Sequence, residues 1–339
     1  MTILITGGGG FIGTLAAKRL AARGTRVRIL DCHAARPNSL PEGTDYRTGD
    51  VRDADAVRDA LEGCDTIFHF AAAHHDAGIA DATYFDVNEA GTRIVCEAAA
   101  EAGVQTLCFY STVAVYGDAP EPRTEDTVPQ PVGPYGKSKL AGESVVEAWV
   151  AEDAARRALV VRPTVVIGPG HAANVFTLAR QIDRGRFLPV GTGANRKSLC
   201  HVDNLLAATL YLLDRDDRPA YDVVNYVDKP DLSSREIVDT VYRALDRKPP
   251  RTHVPYALAR AAAVPLDVLG AVLRRDLPVS GARIRKLAKA ETTFEAERIR
   301  EAGFEPSVPL AEGLRDYVAW YRAQDGAPRP APRIPPARR

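Results

Sequence analysis

A net charge of one sign is missing from this 339-residue chain: 44 Lys and Arg stand against 44 Asp and Glu. That balance supplies no bulk field to draw in nucleic acid or an anionic membrane. Cysteine is sparse, and the five present (Cys32, Cys64, Cys96, Cys108, Cys200) form no CxxC pair. Neither a disulfide framework nor a metal site is expected; the cysteines read as small apolar residues in a reducing compartment. No uninterrupted apolar run reaches the ~20 residues of a spanning helix, so stable membrane insertion is not expected. The first residues, MTILITGGGG, lack the cationic segment and longer apolar run of a signal peptide. No internal repeat is visible. These absences leave the expectation of a soluble, cytoplasmic protein, and an apolar fraction of 45% is ample for its core.

Short apolar runs alternate with Ala-rich helical stretches through the first two-thirds of the chain. The strand candidates are residues 3–6, 27–31, 65–71, 106–111 and 158–167; residues 14–24 and 91–103 are helical candidates between them. Near-continuous apolar strands separated by helices predict an α/β fold with a doubly wound parallel sheet covered on both faces. The pattern turns irregular from about residue 168, returns to helix and strand over 205–227, and is mainly helical over 235–325. The expected division is a Rossmann-type domain from 1–167 plus about 205–228, and a smaller, mainly helical substrate domain from about 168–204 and 229–325. The apolar stretch VPYALARAAAVPLDVLGAVLRR (254–275) predicts two packed helices broken at Pro265; the sharper alternative is a lid or an interfacial membrane contact. The Pro- and Arg-rich residues 326–339 predict disorder.

TGGGGFIG (6–13) joins the first strand to the first helix, with Gly7, Gly10 and Gly13 spaced GxxGxxG. Gly7 allows a tight turn, Gly10 lets the backbone approach a pyrophosphate, and Gly13 permits close helix–strand packing. The N–H groups of the helix start, around Phe11 and Ile12, face the phosphates. Asp31 ends the second strand 18 residues after Gly13. A carboxylate there accepts both ribose hydroxyls of NAD and repels the 2′-phosphate of NADP. Arg36 nearby softens that preference without reversing it. Asp50 and Val51, after the next extended stretch, offer a less specific adenine contact.

YGKSK (135–139) places Tyr135 and Lys139 one turn apart on a single helix face. Taken with TGGGGFIG, FHFAAA (68–73) and FYSTVAVYG (109–117), it resembles the extended short-chain dehydrogenase/reductases, specifically the NAD-dependent epimerase/dehydratase family of nucleotide-sugar enzymes. The resemblance implies a catalytic set of Thr112, Tyr135 and Lys139. Lys139 lowers the phenol pKa and bonds the nicotinamide ribose, while Thr112 holds the substrate oxygen. It also implies cofactor contacts at Ala71, Ala72, Asn88, Ser111 and Pro163, the last beside Arg162. Asn174 and the cations Arg196 or Lys197 fall on the substrate side. His69 reads as structural, and His74 and His75 as loop residues. A homodimer through helices 84–102 and 134–153 is implied as well.

Departures narrow the reaction. The family's 4,6-dehydratases carry an Asp-Glu pair directly after the catalytic Thr, and here those positions are Val113 and Ala114. The decarboxylating members' Glu is also absent. Hydride chemistry at one carbinol remains. The resemblance implies NAD-dependent C4 epimerisation of a nucleotide sugar, a UDP-sugar first. The alternatives are a 4-ketoreductase or 3β-hydroxysteroid-type dehydrogenase and, third, a non-catalytic dinucleotide sensor. Lys197 in the usual Arg slot, Val165 in the usual Asn slot, and Arg283, Arg285 and Lys286 in place of R-P-G-D leave the sugar open.

Overall fold

The computed structural model describes residues 1–35, 39–74, 79–172, 174–273 and 291–324, with backbone alone over 265–273. Arg36, His75, Arg283, Arg285, Lys286 and the tail 326–339 lie outside the described residues.

Seven parallel strands form the main sheet: β1 (Thr2–Thr6), β2 (Arg26–Asp31), β3 (Asp45–Thr48), β4 (Thr66–His69), β5 (Thr106–Tyr110), β6 (Arg157–Pro163) and, beyond two strands of a smaller sheet, β9 (Tyr221–Tyr226). Their spatial order is β3-β2-β1-β4-β5-β6-β9. The smaller sheet contains β7 (Val165–Ile167), β8 (Arg196–His201) and β10 (Asp228–Ser233), in the order β10-β8-β7. β7 runs parallel and β10 antiparallel to β8.

The helices are α1 (Phe11–Ala22), α2 (Ala54–Leu61), α3 (Asp81–Phe85), α4 (Gly91–Glu101), α5 (Pro134–Ala151), α6 (Asn174–Asp183), α7 (Val202–Leu213), α8 (Ser234–Ala244), α9 (Tyr256–Leu273), α10 (Glu297–Glu301) and α11 (Leu310–Ala323). A π turn, Asp86–Ala90, joins α3 to α4, and a one-turn 3₁₀ helix, Val113–Tyr116, follows β5.

The apolar runs explain the layering. Alternate residues of each central strand point to opposite faces, and both faces are buried. Ile3 and Ile5 pack with Ala16, Ala17 and Leu20 of α1 and Leu205 and Leu206 of α7. Leu4, between them, packs with Val57 of α2, Val95 of α4 and Trp149 of α5. A third core joins the small sheet to α6, α8 and α11 through Phe176, Val241 and Tyr317. Four of the cysteines are buried thiols, as expected for small apolar residues.

Three expectations required revision. The run 158–167 is two strands, because β6 ends at Pro163 beside Tyr226 and β7 then leaves for the smaller sheet, pairing Val165 with Leu199. The extended stretch before Asp50 is a strand of the main sheet, the half-exposed DYRT of β3, which the apolar strand candidates did not include. Helix α9 continues through Pro265, so the proline removes one N–H from the ladder without ending the helix.

Candidate active site

The order β3-β2-β1-β4-β5-β6 changes direction between β1 and β4. A crevice at the carboxyl ends of the strands is the ligand site of such a sheet. Most of the residues singled out from the sequence gather around this edge.

Gly7 follows β1 with φ +71°, and a Cβ there would meet the backbone N of Ala71 at 2.7 Å. A Cβ on Gly13 would meet the Gly7 carbonyl oxygen at 2.5 Å, so the first turn of α1 lies directly on the loop. Gly10 caps the helix with no side chain over its end. The N–H groups at Phe11 and Ile12 therefore start a helix whose end is shaped for an anion. Asp31 is buried at the end of β2; its two carboxylate oxygens accept from Gly9 N and His33 N, each at 2.9 Å. Those donors fix the carboxylate against the glycine loop. Asp50 is gripped by the Arg52 guanidinium at 3.0 and 2.6 Å, and Val51 is buried against Gly91.

After β4, Ala71 N contacts the Thr6 hydroxyl at 3.4 Å, and the chain passes through Ala72 to Ala73. Asn88, fully buried in the π turn, accepts from Ala73 N at 2.7 Å. Its amide donates to the Ala73 carbonyl at 3.0 Å and to the Ser138 hydroxyl at 2.9 Å. Asn88 thus ties the loop after β4 to α5. His69 is structural, as expected, with Nδ1 2.6 Å from the Thr6 hydroxyl and Nε2 3.0 Å from the Thr92 hydroxyl. Burial, aided by the Lys139 charge, pushes its pKa down to about 3, so the ring is neutral at physiological pH. Since Thr92 donates to the Asn88 carbonyl at 2.7 Å, Nε2 carries the proton and Nδ1 accepts from Thr6.

Thr112 is half-buried and caps the 3₁₀ helix, its hydroxyl oxygen accepting from Ala114 N at 3.1 Å. The hydroxyl proton is left to donate elsewhere. Tyr135 sits in the first turn of α5, just after Pro134, and Lys139 follows one turn later. Gly136 lets that first turn approach the 3₁₀ helix: a Cβ there would meet the Ala114 carbonyl oxygen at 2.6 Å. The structure therefore brings the elements of Thr112, Tyr135 and Lys139 into direct packing. Val113 and Ala114 supply no ionisable group beside them.

Lys139 is 1% exposed, and its ammonium nitrogen has no hydrogen-bond partner. It lies 4.0 Å above the Phe109 ring. Burial pushes its pKa down to about 7, opposed by the charge of Glu143. An unpartnered ammonium suits the vicinal hydroxyls of a cofactor ribose, which accept hydrogen bonds.

The remaining assignments are more scattered. The Ser111 hydroxyl donates to Glu143. Arg162 is also paired with Glu143, and only Pro163 after it ends β6 at the sheet edge. Arg196 and Lys197 are consecutive in β8, so their side chains leave opposite faces and a ligand on one face meets only one of them. Arg196 donates to the Asp231 carbonyl at 2.6 Å. Asn174 is exposed at the start of α6. Sequence reasoning missed Glu143, four residues after Lys139, because its partner Arg162 comes from a different element. It also missed His171, whose ring stacks on Phe11 at 4.6 Å and anchors the loop after β7 on the glycine loop.

A Rossmann sheet with a glycine loop, a buried carboxylate at the end of β2 and neighbouring elements carrying Thr112, Tyr135 and Lys139 defines a dinucleotide-dependent enzyme of the extended short-chain dehydrogenase/reductase type. The chain belongs to the NAD dependent epimerase/dehydratase family, whose model matches residues 3–226. Its cofactor is NAD. It is 36% identical over 313 residues to an Escherichia coli O157:H7 N-acetyl-alpha-D-glucosaminyl-diphospho-ditrans,octacis-undecaprenol 4-epimerase, covering 92% of each chain. It is 30% identical to a Vibrio cholerae UDP-glucose 4-epimerase over 264 residues, 75% of this chain and 79% of that one. MoeE5 in complex with UDP-glucose and NAD superposes with a TM-score of 0.74 at 25% identity, over 96% of this chain and 99% of that one.

Proposed function

We propose that the enzyme epimerises C4 of a diphosphate-linked sugar through a transient 4-keto sugar. The observation that carries this reading is the Thr112, Tyr135 and Lys139 arrangement followed by Val113 and Ala114, which have no proton to give or take in an elimination. Bound NAD supplies the hydride acceptor and donor. The glycine loop of Gly7, Gly10, Phe11, Ile12 and Gly13 holds its diphosphate, Asp31 its adenosine ribose, and Lys139 its nicotinamide ribose. Asp50, Val51, Ala71, Ala72, Asn88, Ser111 and Pro163 shape the rest of the cleft.

Tyr135 as phenolate takes the C4 hydroxyl proton while C4 loses hydride, and it returns the proton once hydride has been delivered to the other face. Lys139 as ammonium favours the phenolate. Thr112 donates a hydrogen bond to the C4 oxygen in each orientation. On the substrate side Asn174 and either Arg196 or Lys197 meet the diphosphate half. The division into a domain of 1–167 plus 205–228 and a substrate domain of 168–204 with 229–325, a cytoplasmic setting and a homodimer belong to the same reading.

The first reading of the carrier is a nucleoside diphosphate, UDP before others, as in the Vibrio cholerae and MoeE5 relatives. A second reading keeps the reaction and replaces the nucleotide with a polyprenyl diphosphate. It is supported by the Escherichia coli relative, matched over 92% of each chain. It is also supported by α9, which exposes Leu258 and Val264 at 61% and 53%. Incubation of the purified protein, without added cofactor, with UDP-, GDP- and dTDP-hexoses and polyprenyl-diphospho-N-acetylhexosamines tests both. C4 epimers of one class are expected by NMR, with Tyr135→Phe slower by roughly 10²–10⁴-fold while keeping its NAD. Net accumulation of NADH, or dependence on added NADPH, would sink the epimerase reading in favour of a dehydrogenase or reductase.

A further inference from the structure

Behind the catalytic side chains runs a buried polar network in which the proposed proton and hydride transfers take no part. Glu143 lies on α5 one turn beyond Lys139 and two beyond Tyr135, and is 3% exposed. One of its oxygens accepts from the Ser111 hydroxyl and from Arg162 Nε at 2.9 Å, and the other from Arg162 Nη2 at 2.5 Å. Arg162, 5% exposed on β6, also donates through Nη1 to the Tyr116 hydroxyl at 2.9 Å. Tyr116 is fully buried and donates to Asn225 Oδ1 at 2.8 Å.

Ser111 immediately precedes Thr112, and Tyr116 ends the 3₁₀ helix that Thr112 caps. One ion pair therefore holds the segment carrying Thr112 from both sides and joins it to the helix carrying Tyr135 and Lys139. Buried ion pairs stabilise a fold little compared with apolar residues of the same volume. What this one supplies is directional: a forked guanidinium and a carboxylate set orientation as well as distance. Proton and hydride transfer at a single carbon depend on placement at that level, since reacting groups must be held within a fraction of an ångström.

We propose that Glu143 is a positioning residue, and that its ion pair with Arg162 fixes the register between the Thr112 turn and the Tyr135–Lys139 helix. The kinetic part rests on the epimerase reading. Tyr116→Phe cuts one tether and leaves the ion pair in place. In NAD-loaded protein it is expected to lower kcat at least five-fold, with KM and bound NAD within two-fold of wild type. A smaller fall in kcat, or a fall accompanied by a matching rise in KM or loss of NAD, overturns the proposal.

Glu143→Gln strands a buried guanidinium and can fail to fold. The paired variant Glu143→Leu with Arg162→Met removes both charges. If folded, it should keep NAD and lose kcat to the same degree; wild-type kcat in that variant also overturns the proposal. Deuterium uptake of NAD-loaded Tyr116→Phe needs no substrate. Uptake is expected to rise in residues 134–143 as well as 111–117, and a rise confined to 111–117 counts against the proposal. Should wild-type protein turn over nothing in the substrate panel, the epimerase reading fails by itself, and the uptake result still decides the tether.

Discussion

Lys139 holds an amine at 1% exposure with no hydrogen-bond acceptor, a costly arrangement for a cation. Desolvation is the larger influence and pushes its pKa down to about 7; Glu143 pushes the other way. In cofactor-free protein the sign of the linkage follows. Below about pH 7 the amine is charged in both folded and unfolded chains, and the desolvation penalty is fully present. Above that, the folded chain releases its proton before the unfolded one does, so stability rises with pH until the unfolded value near 10.4. At 1.36 kcal/mol per unit the penalty is on the order of 2–5 kcal/mol. Lys139→Met in NAD-stripped protein is therefore expected to be more stable than wild type near pH 6. Its advantage should shrink as urea titrations move towards pH 10. A constant difference across that range would show that the buried amine is not its source. The lysine, the tyrosine and the threonine were legible in the sequence because their chemistry needs those residue types. Glu143 was not, because a glutamate on a helix reads as solvated until the fold sets Arg162 beside it.

At the level of elements, the meeting of α5 with the 3₁₀ helix fixes the catalytic geometry, and Gly136 permits it. A methyl group there would lie 2.6 Å from the Ala114 carbonyl oxygen, a backbone atom that cannot swing aside. Gly136→Ala is expected to cost roughly 1–3 kcal/mol of stability and to depress kcat by forcing the two elements apart. Gly133→Ala is the control, because no atom lies within 4 Å of the added Cβ; thermal melts and turnover of the pair separate crowding from loss of a glycine. Equal losses in the two variants would dismiss the contact. Elements with a local physical requirement were readable: the glycine loop needs its spacing, and Asp31 must end a strand. The break at Thr164 was not, because β6 and β7 are equally apolar and only the partner strands differ. Polar β3 was hidden for the opposite reason, since its edge position lets it keep DYRT half-exposed. At Pro265 the local rule against proline lost to the surrounding helix.

On the scale of the whole molecule, neutrality conceals a segregation of charge. Residues 247–290 hold ten Lys and Arg and two Asp, so the balance elsewhere in the chain is acidic. Helix α9 begins within that stretch and exposes Leu258, Arg260 and Val264 in its first half. No helix among the described residues is long and apolar enough to cross a membrane. An apolar helix that cannot span, flanked in sequence by Lys and Arg, can still lie in the headgroup layer, where each Lys or Arg contributes about 1 kcal/mol near an anionic surface. A polyprenyl-diphosphate sugar resides in that layer, whereas a nucleotide sugar arrives from water, so vesicle binding separates the two carriers. The purified protein is expected to sediment with vesicles containing phosphatidylglycerol, and to do so less as salt rises. Leu258→Glu with Val264→Glu should weaken sedimentation while NAD content stays unchanged. Protein that remains in the supernatant with anionic vesicles at low salt would leave the nucleotide as the carrier and α9 as a cover for a water-soluble substrate.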